Sequence, residues 1–188
     1  MPILTDIHAR FKFRTWPGVR LAMILLFVGA SVCAQNPTEF QLKAVFIYNF
    51  VNFVEWPAAT FDHPTDPFVI GVAGRNVFGS SLNEAIAGET YRGRPIEVRY
   101  IETADQARDC HIVYIEKTCG IFDQVLASTT EKAILTIADT DDFMQKGGVI
   151  RFYLERNQLR MEINQQAAND HGLLISGKLL RLASVYNN

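Results

Sequence analysis

The acidic run "ADTDDF" places Asp139, Asp141 and Asp142 where an apolar segment ends. Oxygen ligands so spaced suit a hard cation. The same carboxylates also favour the start of a helix through capping and the helix dipole, and the spacing is read as that, with no metal assigned. "GVAGRNVFGSS" brings Gly71, Gly74 and Gly79 after another apolar run, a place where α/β proteins bind phosphate. It lacks the G-K-S/T of a P-loop and the spacing of a dinucleotide fingerprint. Gly74, Arg75 and Ser80, with Asp139 and Asp141, are nevertheless the candidate lining of a small-ligand pocket at the carboxyl edge of the strands.

Nucleophilic and acid–base chemistry finds less support. His63, His111 and His171 follow the apolar leader, none spaced from a Ser, Cys or carboxylate as in a relay, and "ISG" at 175–177 is no nucleophile elbow. No catalytic residue and no cofactor are assigned, and the chain is read as a non-enzyme. Cys110 and Cys119 bracket "HIVYIEKT". If that stretch is a strand, nine steps of about 3.3 Å separate them well beyond the ~7 Å reach of a disulfide. Free thiols and a bridge between chains both stay open.

The elements that would hold these residues follow from pattern. Residues 1–34 read as a secretory signal: Arg10, Lys12, Arg14 and Arg20 precede "LAMILLFVGASV", and Val32-Cys33-Ala34 offers a small-residue cleavage site. The apolar run falls short of the roughly 20 residues a bilayer crossing needs. Cleavage would remove those four cations and Asp6, taking the formal charge from -2 to -5. A mildly acidic product lacks the basic footprint of a nucleic-acid binder. The periplasm is the expected compartment, and residues 35–188 the expected single domain.

In that domain "FIYNFVNFVEWP" at 46–57 is the most aromatic stretch. The periodicity predicts a helix from about Pro37 to Trp56, stopped by Pro57, with Gln41, Asn49, Asn52 and Glu55 on its polar arc. Strands are expected at "FVIGVAG", "PIEVRYIE", "HIVYIE" and "KAILTIAD", alternating with helical stretches, which implies a mostly parallel α/β sheet flanked by helices. "VIRFYLERNQLRMEIN" reads as an added antiparallel hairpin. Two closing helices follow, the second, "SGKLLRLASVY", capped by Ser176 with Leu179, Leu180, Leu182 and Ala183 as its buried stripe.

Three stretches, "KAVFIYNFVNFVEWP" (43–57), "DFMQKGGVIRF" (142–152) and "LRMEINQQAANDHGLLISGKLLRLA" (159–183), resemble in order and spacing the YfiR family of small secreted bacterial proteins. The resemblance implies a periplasmic regulator that binds and represses the periplasmic sensor domain of an inner-membrane diguanylate cyclase, lowering cyclic-di-GMP signalling and biofilm formation. It implies relief of repression by an outer-membrane lipoprotein of the YfiB type, a homodimer, and a small aromatic ligand. Carried over by position, it gives Phe46, Tyr48, Asn49, Phe50 and Trp56, and Arg160, Glu162, Asn164 and Leu180, as partner or dimer interface, with Glu162 the leading polar hot spot. Some relatives bridge a first-strand cysteine to the position of Cys110; Gly71 stands there here, so that bridge is absent. The alternative reading is a small-molecule sensor acting on another partner, such as a sensor kinase.

Overall fold

The computed structural model describes residues 37–187; the expected signal, residues 1–34, lies outside them. Helix α1 spans Glu39–Phe53. Thr38 opens it with a capping box, its hydroxyl accepting from the Gln41 amide while the Gln41 side chain accepts from the Thr38 amide. Its buried residues, Lys43, Ala44, Ile47, Phe50 and Val51, recur at helical spacing on one face. The helix ends three residues before the expected stop at Trp56. Val54 leaves the helical region, and Val54–Glu55 form a short strand, β1, antiparallel to β9 (Leu174–Ile175). Cross-strand pairing, and not Pro57, sets this end: the Ser176 amide donates to the Phe53 carbonyl.

The main sheet has eight strands in the order β10-β8-β7-β6-β5-β2-β4-β3. Its parallel centre is β2 (Phe68–Ala73), β4 (Arg94–Ile101), β5 (Ile112–Ile115), β6 (Leu135–Ala138) and β7 (Ile150–Glu155). Every residue of β2, β5 and β6 is buried, as a sheet covered on both faces requires. The expected hairpin is present: β7 runs antiparallel to β8 (Gln158–Ile163). Arg156 and Asn157 between them both take positive φ, the backbone of a two-residue turn that matches strand twist. A two-residue β3 (Thr90–Tyr91) caps one edge, pairing antiparallel with β4.

Two apolar layers cover the sheet. On one face α1, with α2 (Ser81–Ile86), packs over Ile70, Val72, Tyr114, Ile137 and Phe152. Phe50 lies stacked on Phe152 at 6.0 Å and Phe46 tilts onto the same ring at 6.1 Å. On the other face Ala107 of α3 (Ala104–Ala107) and Val125 and Leu126 of α4 (Phe122–Ser128) join Val69, Val113, Ile115 and Phe143. Helix α5 (Gln165–Asp170) ends at Gly172, whose φ of 71° allows the Leu173 amide to reach back to the Ala168 carbonyl. The last helix corrects expectation. Ser176 caps it, but α6 runs only Gly177–Leu180. The chain then extends into β10 (Ser184–Val185), parallel to β8, which leaves Leu182 68% exposed and outside any buried stripe.

Phe152 is 1% exposed between α1 and the sheet. Phe152→Ala is expected to cost about 3–5 kcal/mol, read as a lower urea midpoint with an unchanged denaturant slope.

Candidate functional site

Lys43 joins α1 to the sheet. The sequence presents it as a charge interrupting an apolar helix, yet its side chain is 2% exposed. Its Nζ lies 2.6 Å from Oδ2 of Asp139, the residue that follows β6, and also pairs with Glu39 one turn back. The Tyr114 hydroxyl lies 3.1 Å from both Asp139 oxygens. Burial, with the Asp139 charge second, pushes that hydroxyl well above its ordinary range, so it stays protonated and donates. An isolated buried ammonium would be costly, and two carboxylates and a cation–π contact with Phe40 at 5.1 Å offset that cost.

The remaining carboxyl-edge groups are also engaged within the protein. Arg75 bonds the buried Glu116 at 3.1 Å, and Thr118 gives Glu116 two further hydrogen bonds at 2.6 and 2.9 Å. Burial raises the Glu116 carboxyl, but these donors outweigh it and hold the group below its usual range. Asp141 receives Arg151 at 2.9 Å. Ser80 precedes α2 without capping it by its side chain. Gly74, Arg75, Ser80, Asp139 and Asp141 line neither the cavity bounded by Phe61 and His111 nor the one bounded by Leu126 and His171.

Residues expected at a partner interface separate onto the two faces of the sheet. Phe50 and Trp56 are 0% and 3% exposed. As interior groups they correct the expectation of a partner contact: Trp56 meets Phe68 edge-on at 4.8 Å and donates Nε1–H to the His111 carbonyl. Asn164 is likewise buried, capping α5 by accepting from the Ala167 amide. Phe46, Tyr48 and Asn49 stay half-buried on α1, beside the exposed Leu42 and Val45, and Tyr48 donates to Glu89 at 2.7 Å. Leu180 packs against that same side.

Arg160 and Glu162 lie on the opposite face, because Met161 and Ile163 between and beyond them point toward α1. There Glu162 accepts from Nε and Nη2 of Arg151 at 3.1 and 2.9 Å, and Arg151 also holds Asp141 and lies over the Tyr153 ring at 5.1 Å. Tyr153 in turn meets Ser184 of β10 at 3.2 Å. This charge cluster is ordered by its internal hydrogen bonds and partly exposed. Sequence reading missed Arg151 and Tyr153, although alternation along β7 puts both on the face of Glu162.

The thiols are free, Cys110 buried and Cys119 half-buried. Burial pushes the Cys110 thiol up to about 12, so it is an inert interior group. Gly71 faces it: a Cβ there would lie 2.8 Å from the Cys110 sulfur and 2.5 Å from Ile101 Cδ1. That contact explains the glycine by close packing and places the first-strand position opposite Cys110, as expected.

The fold and this surface define a mixed α/β protein that joins an aromatic helix to a charged hairpin. The YfiR/HmsC-like family profile matches residues 40–184, and the chain belongs to that family. The family is one of regulatory proteins, and membership points to regulation of cyclic-di-GMP signalling in the periplasm.

Two outcomes follow. Asp139→Asn, which leaves buried Lys43 with Glu39 alone, is expected to lose about 3 kcal/mol, whereas Lys43→Met, which also removes the charge, loses less by urea titration. His111, whose imidazole burial and then Arg94 and Arg99 lower to about 4, resists a proton that the unfolded chain accepts near pH 6.5. Stability therefore falls as pH drops from about 6.5 to 4, by on the order of 3 kcal/mol, and His111→Gln flattens that part of the stability–pH curve.

Proposed function

We propose that the protein is a periplasmic repressor that binds the periplasmic sensor domain of an inner-membrane diguanylate cyclase and holds the enzyme inactive. Family membership across residues 40–184 carries this reading, and the charged hairpin face supports it. A repressor needs a rigid surface of defined charge, since ordering side chains at the moment of binding costs affinity. Glu162, fixed by Arg151 and about one-fifth exposed, fits a polar anchor at the centre of such a contact.

The proposed cycle has two further parts. Residues 1–34 direct export, and an outer-membrane lipoprotein of the YfiB type relieves repression by competing for the regulator. The α1 stripe around exposed Val45 and half-buried Asn49, on the other face, is the proposed homodimer contact, which leaves the hairpin free for the cyclase. Opposite faces allow both contacts at once.

Deleting the gene is expected to raise cellular cyclic-di-GMP, and the purified chain from residue 35 to bind the cyclase's periplasmic domain by calorimetry. Glu162→Gln, which removes the charge but keeps an oxygen that can accept from Arg151, weakens that binding by at least tenfold with the melting temperature little changed. No binding by the wild type, together with unchanged cyclic-di-GMP on deletion, would sink the proposal.

A further inference from the structure

Arg151 and Glu162 stand directly opposite each other across β7 and β8, on the face turned away from α1. Residues so placed are the closest side-chain pairs a sheet offers. Both side chains are about one-fifth exposed, so water has limited access to the pair.

The bonds between them are lopsided. Nε of Arg151 lies 3.1 Å and Nη2 lies 2.9 Å from the same oxygen, Oε2 of Glu162. A guanidinium fork that meets a carboxylate squarely engages both of its oxygens. Here Oε1 accepts from no group among the described residues, so the carboxylate is held in place while one oxygen stays open. A spare acceptor that is already ordered spares an incoming donor the cost of ordering it.

Arg151 is itself fixed on its other sides. Nη1 donates to Oδ1 of Asp141, in the turn after β6, at 2.9 Å, and the guanidinium lies over the Tyr153 ring at 5.1 Å. Tyr153 carries the tie on to Ser184 of β10 at 3.2 Å. Charge within the group does not balance: two carboxylates share one guanidinium, which leaves one negative charge in excess. Arg160, two residues before Glu162, has Glu155 at 3.7 Å as its own partner.

We infer that Arg151 is a positioning residue for the proposed cyclase contact, holding Glu162 so that its free Oε1 meets a lysine or arginine side chain of the partner. A cation answers the excess negative charge, and a charge-assisted hydrogen bond is about twice as strong as a neutral one. Lysine cannot stand in for Arg151. An ammonium keeps the charge but has no planar fork to fix the carboxylate while also holding Asp141. The inference rests on the repressor reading and names the chemistry of its contact.

The test is a calorimetric titration of the cyclase's periplasmic domain with the purified chain from residue 35, carrying Arg151→Lys, Glu162→Ala, both or neither. Arg151→Lys is expected to weaken binding about fivefold with the melting temperature little changed. In the Glu162→Ala background the same change costs less than about twofold, because the group it positions is gone. Added sodium chloride weakens wild-type binding, and Glu162→Ala reduces that salt dependence, as the loss of an ion pair requires. An equal loss from Arg151→Lys in both backgrounds, undiminished binding by Arg151→Lys, a loss that tracks unfolding, or a salt dependence that Glu162→Ala leaves unchanged would overturn the inference while the repressor reading stands. No binding by the wild type overturns that reading, and the inference with it.

Discussion

A single buried ion pair determines how the aromatic helix sits on the sheet. Lys43 reaches from the middle of the first helix to Asp139 at the end of the sixth strand, with Tyr114 donating to the same carboxylate. Burial of charge is tolerated only where each group finds its partner, so the pair fixes the helix in both rotation and height. Phe50 then has one place to go, against Phe152. The pair also engages the carboxylate that could otherwise have served a ligand at the carboxyl edge, where α/β folds commonly bind one.

The aromatic stretch and the family's C-terminal stretch meet in space. Val54 and Glu55 pair with Ile175 and Leu174, Ser176 donates to Phe53, and a Cβ on Gly172 would stand 3.6 Å from Pro57. Two segments more than a hundred residues apart thereby form one closure over the edge of the core. A change in either end of the chain is felt by the other, which gives a physical reason for both to carry characteristic residues.

Division of labour between the faces follows from strand alternation. Along β7 and β8 the residues Ile150, Phe152, Met161 and Ile163 face the helix, while Arg151, Tyr153, Arg160 and Glu162 face away. The first set builds stability and the second a charged surface free to meet another molecule. At the amino-terminal edge of the parallel strands, His111 packs against Phe61 and Phe68, apart from both surfaces.

Much of this was determined by the sequence alone. Buried central strands follow from "FVIGVA", "IVYI" and "LTIA" because a continuous apolar run has no solvent face to offer, and the hairpin follows from the alternation on either side of Arg156-Asn157. The Ser176 cap and the separation of Cys110 from Cys119 were equally local and equally readable. Tertiary structure decided the rest. Lys43 appears polar in sequence and proves interior, because its partner is 96 residues away. Trp56 leaves its helix because a distant strand bids for the same backbone groups. The His111 cavity joins four separated stretches of chain, and no local pattern encodes such a convergence. Propensity and periodicity act over a few residues, whereas charge pairing, edge pairing and cavity lining depend on which distant segments the fold brings together.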